Sequence, residues 1–392
     1  MAAAIYMDAN ATTPVLPEVL DAMRPYWTEG FGNASSVHQR GQQARAAVDE
    51  AREQVAALIR CRPAEIVFTS GGTESDNLAL FGVLSPGDHL ITTAIEHHAV
   101  LHAAEALAER GVEVTFLKPN AEGVVEPAAL QAELRPNTRL VSVMLANNET
   151  GVIQPVRELA EIAHGAGAQF HTDAVQAGSK VALDVAELGC DLLSLSGHKM
   201  HAPQGTGVLF ARRSVKLNPM FFGGMHERGR RPGTENVAGI VGMGCAAELA
   251  RRWLTKTSEA DPESEAMPAN PAELAALRDR LEQGIMAQVA GSGVNGARAL
   301  RVANTTNFYF DGVDAEALII ALDLQGLAIS AGSACQSGAT EPSHVLLAMG
   351  LTEERARSSV RLSLSRVNTL GEVESAIGLI AATVDRLRSV SA

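Results

Sequence analysis

Seven short runs of β-branched and aliphatic residues alternate with alanine-rich stretches through the first two-thirds of the chain. This alternation constrains the fold more than any other feature of the sequence. The stretches between the runs carry apolar residues at three- and four-residue spacing, which predicts helices at 36–60, 98–110 and 155–165. Strand and helix in repetition predict an α/β fold with a mostly parallel sheet that is covered on both faces. The predicted strands lie at 65–69, 89–94, 112–117, 139–145, 169–174, 192–196 and 207–211.

The composition changes at 255–272, where the segment is rich in charge, serine and proline. Such a segment is typical of a loop or a domain border. After it the pattern predicts a helix, strands near 299–310 and 326–331, and then helices to the end. This pattern is typical of a smaller α+β unit.

A chain of 392 residues, of which 46% are hydrophobic, has room for two domains with full cores. We therefore expect a large domain at 15–256 and a smaller one at 257–392, which residues 1–14 complete. In parallel sheets ligands bind where strands end, because the helices that follow point their N-termini into that crevice. The ends of the predicted strands are thus the first place to look for a site.

The formal net charge of -13 argues against nucleic acid and anionic membranes as partners, since both require basic surfaces. The four cysteines form no CxxC pair, so neither a disulfide framework nor a zinc site is indicated. The first residues lack the pattern of a signal peptide, and no apolar run approaches the length of a membrane span. We expect a soluble, unprocessed protein of the cytoplasm that acts on a small molecule and binds no metal.

The segment FTSGGTESDN is a strand end, a Gly-Gly turn and the first turn of a helix. Free backbone N–H groups at such a helix start suit a phosphate. A plain helix cap, with Thr73 or Ser75 satisfying these donors, explains the same residues equally well. No lysine follows the glycines, which disfavours a nucleoside triphosphate, and GSGVNG at 291–296 lacks the strand of a dinucleotide site and is interpreted as a turn.

Histidines cluster after the second predicted strand. His98 and His102 have the i, i+4 spacing of a metal-binding helix face, and His97 precedes them. No carboxylate or third ligand completes the set, so a zinc site is disfavoured.

Lysine is scarce, with only five among the 32 lysines and arginines. Lys199 differs from the others because it follows the apolar run LLSLS directly, where an amine can lose solvent and become a nucleophile. Asp173 ends the run QFHTDA, and a carboxylate among apolar neighbours needs a cationic partner, which a protonated pyridine nitrogen would supply. With the phosphate-binding turn, these features point to pyridoxal 5'-phosphate.

Nine motifs, spread in order over nearly the whole chain, make it similar to the cysteine desulfurases, which are pyridoxal-phosphate enzymes of the class V aminotransferase group. The details resemble the subgroup that serves nitrogen fixation and iron-sulfur housekeeping. The resemblance implies an aspartate-aminotransferase-like large domain of fold type I with a seven-stranded sheet. The motifs are DANATTP, FGNASS, FTSGGTESDN, EHHAV, NNETG, HTDAVQ, SLSGHK, ERGRRPGTEN and SACQSG.

The resemblance implies roles around the cofactor ring. Lys199 would bind the cofactor as a Schiff base and move the α-proton of the substrate. Asp173 would pair with the pyridine nitrogen, and Gln176 and Asn148 would contact the phenolic oxygen side of the ring. His97 would stack on the ring and act as acid or base.

The resemblance also implies a phosphate-binding set in two subunits. Gly72 and Thr73 at the helix start would bind the phosphate together with Ser196 and His198. Thr234 would reach in from a second subunit, which implies a homodimer.

For the substrate, L-cysteine, the resemblance implies that Arg361 holds the carboxylate as a bidentate fork, with Asn33 and Asn148 nearby. Cys335 lies in SAGSACQSG, among small residues. Its thiolate would attack the substrate sulfur, leaving alanine and a persulfide that is delivered to an acceptor such as an iron-sulfur scaffold protein. A selenocysteine lyase or an aminotransferase using Lys199 without Cys335 is the alternative, and a non-enzymatic sulfur-assembly scaffold is a third reading.

Overall fold

The computed structural model describes residues 5–256, 267–331 and 341–391. Helices and strands are numbered here along the chain. The helices are α1 Pro17–Met23, α2 Pro25–Thr28, α3 Gln39–Leu58, α4 Gly72–Val83, α5 His98–Ala108, α6 Pro127–Glu133, α7 Val156–Gly165, α8 Val185–Leu188, α9 Val237–Thr255, α10 Pro271–Gln288, α11 Ala315–Asp323, α12 His344–Ala348, α13 Glu353–Arg357 and α14 Leu370–Ser391. The strands are β1 Ile5–Tyr6, β2 Ile66–Thr69, β3 His89–Thr93, β4 Glu113–Leu117, β5 Thr138–Ser142, β6 Gln169–Asp173, β7 Leu192–Ser196, β8 Gly207–Ala211, β9 Ser292–Val294, β10 Thr305–Phe310, β11 Leu327–Ala328 and β12 Ser359–Ser363.

The seven predicted strands form one sheet in the order β2-β8-β7-β6-β5-β3-β4. Strand β8 runs antiparallel to both of its neighbours, and the other pairs are parallel. The predicted mostly parallel α/β sheet is therefore confirmed, and the three predicted helices between its strands are present as α3, α5 and α7.

Both faces of this sheet are largely buried except at the edge strand β4, which explains why most of its strands do not alternate between apolar and polar residues. In β2, Val67 packs into a core with α4 and α5, whereas Ile66 and Phe68 pack into the larger core on the other face. The same division separates Leu140 from Val141 in β5.

Two smaller sheets and a third core lie towards the end of the chain. Strands β12, β10 and β9 form an antiparallel sheet, and β1 pairs in parallel with β11 through Ile5 and Leu327. Met7 is buried in the core of these elements, so the beginning of the chain packs with its last third. This packing agrees with completion of the small domain by 1–14, whereas the boundaries 15–256 and 257–392 stay a prediction.

Two local predictions were wrong. Strand β12 lies where only helices were predicted; Val360 and Leu362 enter the core, and Arg361 between them faces the other way, which is the alternation of a strand. The GSGVNG segment, predicted as a turn, contains β9, which pairs with β10 between Gly291 and Gly296 at positive φ. Among the described residues, no helix combines the length and apolar character that a membrane span requires.

Gly207 brings β8 against the turn that precedes α4. It pairs with Thr69 at the end of β2, and a Cβ atom on it would lie 2.5 Å from Cα of Gly71. Backbone stands on both sides of this contact, so a methyl group has no room. A glycine at 207 is therefore required to hold the 71–72 turn in place.

We predict that Gly207→Ala lowers the free energy of unfolding by about 1–3 kcal/mol, because the added methyl group must displace backbone. Urea denaturation measures this change. Gly165→Ala at the end of α7 is the control, since its Cβ meets nothing within 4 Å; we expect it to be neutral or slightly stabilising. Equal stability of the two variants would show that the contact does not constrain the turn.

Candidate active site

A cavity of about 320 Å³ opens where strands of the large sheet end. It is closed by the loop after β1, the start of α12 and the side chain of Arg361 on β12. Ten predicted site residues line it, and the chain thus brings together segments that are far apart in sequence. These residues are Gly72, Thr73, His97, Asn148, Asp173, Gln176, Ser196, His198, Lys199 and Arg361.

Lys199 lies in a short 3-10 helix that directly follows β7. Its amine donates hydrogen bonds to the main-chain carbonyls of Asn10 and, at 2.7 Å, of Ala11. The side chain is partly buried and lines the cavity. Its amine is therefore directed by backbone atoms, which cannot rotate away as a side chain can.

Asp173 ends β6 and is buried in the cavity wall. Its Oδ1 accepts a hydrogen bond of 2.8 Å from the backbone N–H of Val175. Burial raises the pKa of Asp173 to about 6, although this hydrogen bond and the Lys199 amine act in the opposite direction. A cation bound next to Asp173 would favour its charged form.

The first turn of α4 offers N–H groups to the cavity. Its N-cap, Gly71, makes no side-chain capping bond. Ser75 does not cap the helix start either, because its hydroxyl bonds to Thr69 and to the carbonyl of Gly71. A Cβ on Gly72 would come within 2.7 Å of Val175, so the turn requires glycine there. This arrangement favours the anion-binding interpretation over the plain cap.

His97 is the N-cap of α5, and its Nδ1 accepts a hydrogen bond of 3.1 Å from the N–H of Ala99. The ring proton therefore lies on Nε2. Burial and the nearby Lys199 lower the pKa of His97 to about 4, so the ring is neutral at neutral pH. His98 and His102 stack on each other with ring centroids 5.0 Å apart.

Ser196 and His198 lie just before Lys199 in the chain. Ser196 is buried at the end of β7. Nδ1 of His198 lies 3.2 Å from the hydroxyl of Thr12. Burial and Lys199 lower the pKa of His198 to about 4, so this ring is also neutral.

Arg361 and Asn148 meet at one end of the cavity. The guanidinium donates to Asp8 at 2.6 Å and to the carbonyl of Asn148 at 3.0 Å. Two buried atoms here, Nε of Arg361 and Oδ1 of Asn148, have no hydrogen-bond partner in the described part of the chain. A ligand with polar groups would satisfy both.

Two of the predicted site residues that the structure describes, Asn33 and Thr234, are not brought to this cavity. Asn33 and Thr234 together line a different cavity of about 570 Å³. Cys335 lies outside the described residues. The proposed contact of Asn33 near Arg361 is therefore not made within one subunit.

Several residues of the site were not predicted, chiefly Asn10, Asp76 and Glu149, which line the cavity. Asp76 is fully buried, and burial, together with the nearby Asp173, raises its pKa well above the ordinary value. It occupies the second turn of the predicted FTSGGTESDN helix, three residues after Thr73, so the helical period was the available signal. Asn10 lies in DANATTP, where nothing local indicates its distant partners.

Glu96, which precedes His97, is a further buried acid that was not predicted. Its Oε1 accepts hydrogen bonds of 2.8 Å from the N–H of Met144 and from the hydroxyl of Thr93. Burial raises the pKa of Glu96 to about 8. Glu96 is therefore protonated at neutral pH and helps to hold β5 and the α5 start together without a charge.

Known proteins resemble this chain in sequence and in fold. The Aminotransferase class-V family model matches residues 5–375. A cysteine desulfurase IscS of Methanosarcina thermophila is 45% identical over 392 residues, which cover 99% of this chain and 94% of that protein. A solved NifS-like protein has a TM-score of 0.89 at 34% identity, with 98% of this chain and 100% of that chain covered. A solved structure of SspA in complex with cysteine has a TM-score of 0.79 at 34% identity, with 93% and 99% covered.

The fold and the matched family define a class V aminotransferase, with the fold type I architecture of that class. Within that class, the chain belongs to the cysteine desulfurase family.

We predict that Glu96→Gln changes how stability depends on pH. Glu96 has a folded-state pKa of about 8 against an ordinary value of 4.5, so unfolding releases a proton between these values. The protonated Glu96 therefore adds to the free energy of unfolding in full below pH 4.5, and this stabilisation is lost as the pH rises through 8. The wild type should therefore lose up to about 1.4 kcal/mol per pH unit relative to the variant in this window.

Urea denaturation at half-unit pH steps measures the difference. Glu53→Gln, at an exposed position of α3, controls for the loss of a carboxylate from the surface. Identical pH slopes for the wild type and Glu96→Gln would contradict the prediction.

Proposed function

We propose that this chain is a cysteine desulfurase that converts L-cysteine to L-alanine and takes up the sulfur as a persulfide on Cys335. The observation that carries the proposal is the cavity in which Lys199, Asp173 and the first turn of α4 meet. The 45% identical relative is a cysteine desulfurase over nearly the same length. This proposal includes pyridoxal 5'-phosphate as the cofactor.

The residues of the cavity fit this cofactor. A buried carboxylate whose pKa is raised, Asp173, would be stabilised by a positive ring nitrogen. The uncapped N–H groups at Gly72 and Thr73 would donate hydrogen bonds to a phosphate. Asn148 and Gln176 also line this cavity, and their side-chain amides would contact the side of the ring that carries the phenolic oxygen.

When bound, pyridoxal phosphate supplies an electron sink that weakens the bonds at the α-carbon of an amino acid. Lys199 would hold the cofactor and move the α-proton, with its amine directed by the carbonyls of Asn10 and Ala11. Arg361, fixed by Asp8, would bind the substrate carboxylate with its unpartnered Nε donor. The neutral His97 would stack on the ring and donate a hydrogen bond through Nε2.

Cys335 is the best candidate for the sulfur nucleophile. Burial raises the pKa of Cys61 and Cys190 to about 12, and it raises that of Cys245 as well, so these thiols are poor sources of thiolate at neutral pH. In the proposed step, the Cys335 thiolate attacks the substrate sulfur. The S–S bond forms as the C–S bond breaks, and the carbon takes up a proton to give alanine.

We further propose that two chains complete each site and that a sulfur-acceptor protein, such as an iron-sulfur scaffold, receives the persulfide. Thr234 lines a second cavity and not the one that contains Lys199, so any contact of Thr234 with the phosphate would have to come from a second copy. The charge and cysteine pattern favours the cytoplasm as the location.

We predict that borohydride reduction of the cofactor-loaded protein fixes the cofactor covalently to Lys199, because the other four lysines do not line the cavity. Peptide mapping locates the adduct. Lys199→Arg is the control and should carry no adduct. An adduct on another lysine of the wild type would contradict the proposed site.

We predict that Cys335→Ala lowers sulfide release from cysteine by more than about 100-fold, because the nucleophile is lost. Cofactor absorbance should stay intact. Cys245→Ala, which removes a half-buried thiol, is the matched control and should keep full activity. Assays with cysteine, selenocysteine and keto acids separate the alternatives: native-rate turnover by Cys335→Ala would indicate a selenocysteine lyase or an aminotransferase.

A further inference from the structure

Lys180 is a second buried lysine beside the site, and the function described above does not use it. It is 7% exposed and follows β6 in a helical turn, in which its N–H donates to the carbonyl of Ala177 at 2.8 Å. Gln176 lies four residues earlier, on the same side of this turn. Lys180 and Lys199 also border the same small cavity of about 20 Å³, so the two lysines approach each other beneath the site.

The amine of Lys180 fixes the orientation of two side-chain amides. It donates to Oε1 of Gln176 at 2.6 Å and to Oδ1 of Asn10 at 2.7 Å. An ammonium group only donates, so each amide must turn its oxygen towards Lys180 and its nitrogen away. Accordingly, Nε2 of Gln176 donates to the carbonyl of Asn10 at 3.0 Å, and Nδ2 of Asn10 donates to the carbonyl of Asn148 at 3.1 Å.

Asn10 connects the two lysines. Its side-chain oxygen accepts a hydrogen bond from the Lys180 amine, and its main-chain oxygen accepts one from the Lys199 amine. The hydrogen bond of Lys180 to Asn10 therefore helps to fix the carbonyl against which the Lys199 amine lies. Removing the Lys180 amine would take one of two donors from Oδ1 of Asn10, the other being Nδ2 of Asn304 at 3.1 Å. It would also remove the 2.6 Å hydrogen bond to Oε1 of Gln176.

The surroundings of Lys180 are basic. Lys199 and Arg361 lie close enough to repel it, and His201 and Arg366 border the small cavity next to it. Both acceptors of its amine are neutral amide oxygens. Burial, with the charges of Lys199 and Arg361, lowers the pKa of Lys180 well below the ordinary value. A proton at either lysine thus disfavours a proton at the other.

We propose that Lys180 is a positioning residue of this site: its amine fixes the amides of Gln176 and Asn10 and, through Asn10, the place of the Lys199 amine. The inference rests on the proposed function, because Lys199 and Gln176 matter only if they contact the cofactor.

The test compares Lys180→Met with Lys216→Met in the full-length, cofactor-loaded protein. Methionine keeps the length of the lysine side chain without its amine, and Lys216 is exposed away from the site. For Lys180→Met we expect kcat to fall by about 10-fold to 100-fold, with KM for cysteine within about twofold of the wild type. The pH midpoint of the cofactor's visible band should move upward, because a positive charge that disfavours a proton at Lys199 is lost.

A double-mutant cycle separates positioning from general stability. If Lys180 acts through Gln176, the double variant Lys180→Met with Gln176→Leu should have a kcat little below that of the more impaired single variant. If the two residues act independently, their fold-losses in kcat multiply. Should Lys180→Met not fold, Lys180→Gln, which keeps a side-chain N–H donor, takes its place in the same cycle and should retain more activity.

Two results would overturn the inference: a band midpoint and kcat equal to those of Lys216→Met, or multiplicative effects in the cycle. Borohydride mapping of the wild type distinguishes this failure from failure of the proposed function. An adduct on Lys199 leaves the function intact while the Lys180 inference fails, whereas an adduct elsewhere removes both.

Discussion

The positions of the main side chains in the site depend on the hydrogen bonds of one residue, Asn10, in the loop after β1. Its main-chain oxygen accepts from Lys199 and Gln176, and its side-chain oxygen accepts from Lys180. Its amide nitrogen donates to the Asn148 carbonyl. Every one of these partners comes from another part of the chain, so the loop can take its place only when the surrounding elements have packed. Local backbone preference alone would not hold it there.

Burial sets the electrostatics around this loop. The acids Asp76, Glu96 and Asp173 have raised pKa values, and the histidines His97 and His198 have lowered ones. Loss of water disfavours charge in both classes, so the protein wall tends towards neutrality. A ligand that brings its own positive ring and negative phosphate would meet carboxyl and imidazole groups that burial shifts towards their neutral forms. The strong pKa perturbations thus concentrate where the chemistry is proposed, as in other active sites.

The large sheet and most of its ligand wall could be predicted, because its strands are short runs rich in β-branched and aliphatic residues, several of which end in a polar residue such as Asp173 or Ser196. Strand β12 was missed, since its serines and Arg361 interrupt the apolar pattern and its burial depends on β10. Asn10 and Lys180 were missed for a related reason: their roles arise from contacts between residues about 170 positions apart. Such long-range contacts cannot be recognised from neighbouring residues, whereas the helix start at Gly72 can.

The parallel pairing of β1 with β11 has a consequence for how the chain becomes an enzyme. Residues 5–6 are synthesised more than 300 positions before their strand partners, residues 327–328, and Asp8 pairs with Arg361, which is made later still. During synthesis the large sheet can form before the strand partners of residues 5–6 have been made. The cavity therefore acquires its last wall only after residue 361 has been synthesised, so a growing chain has the large sheet well before it can bind a cofactor here.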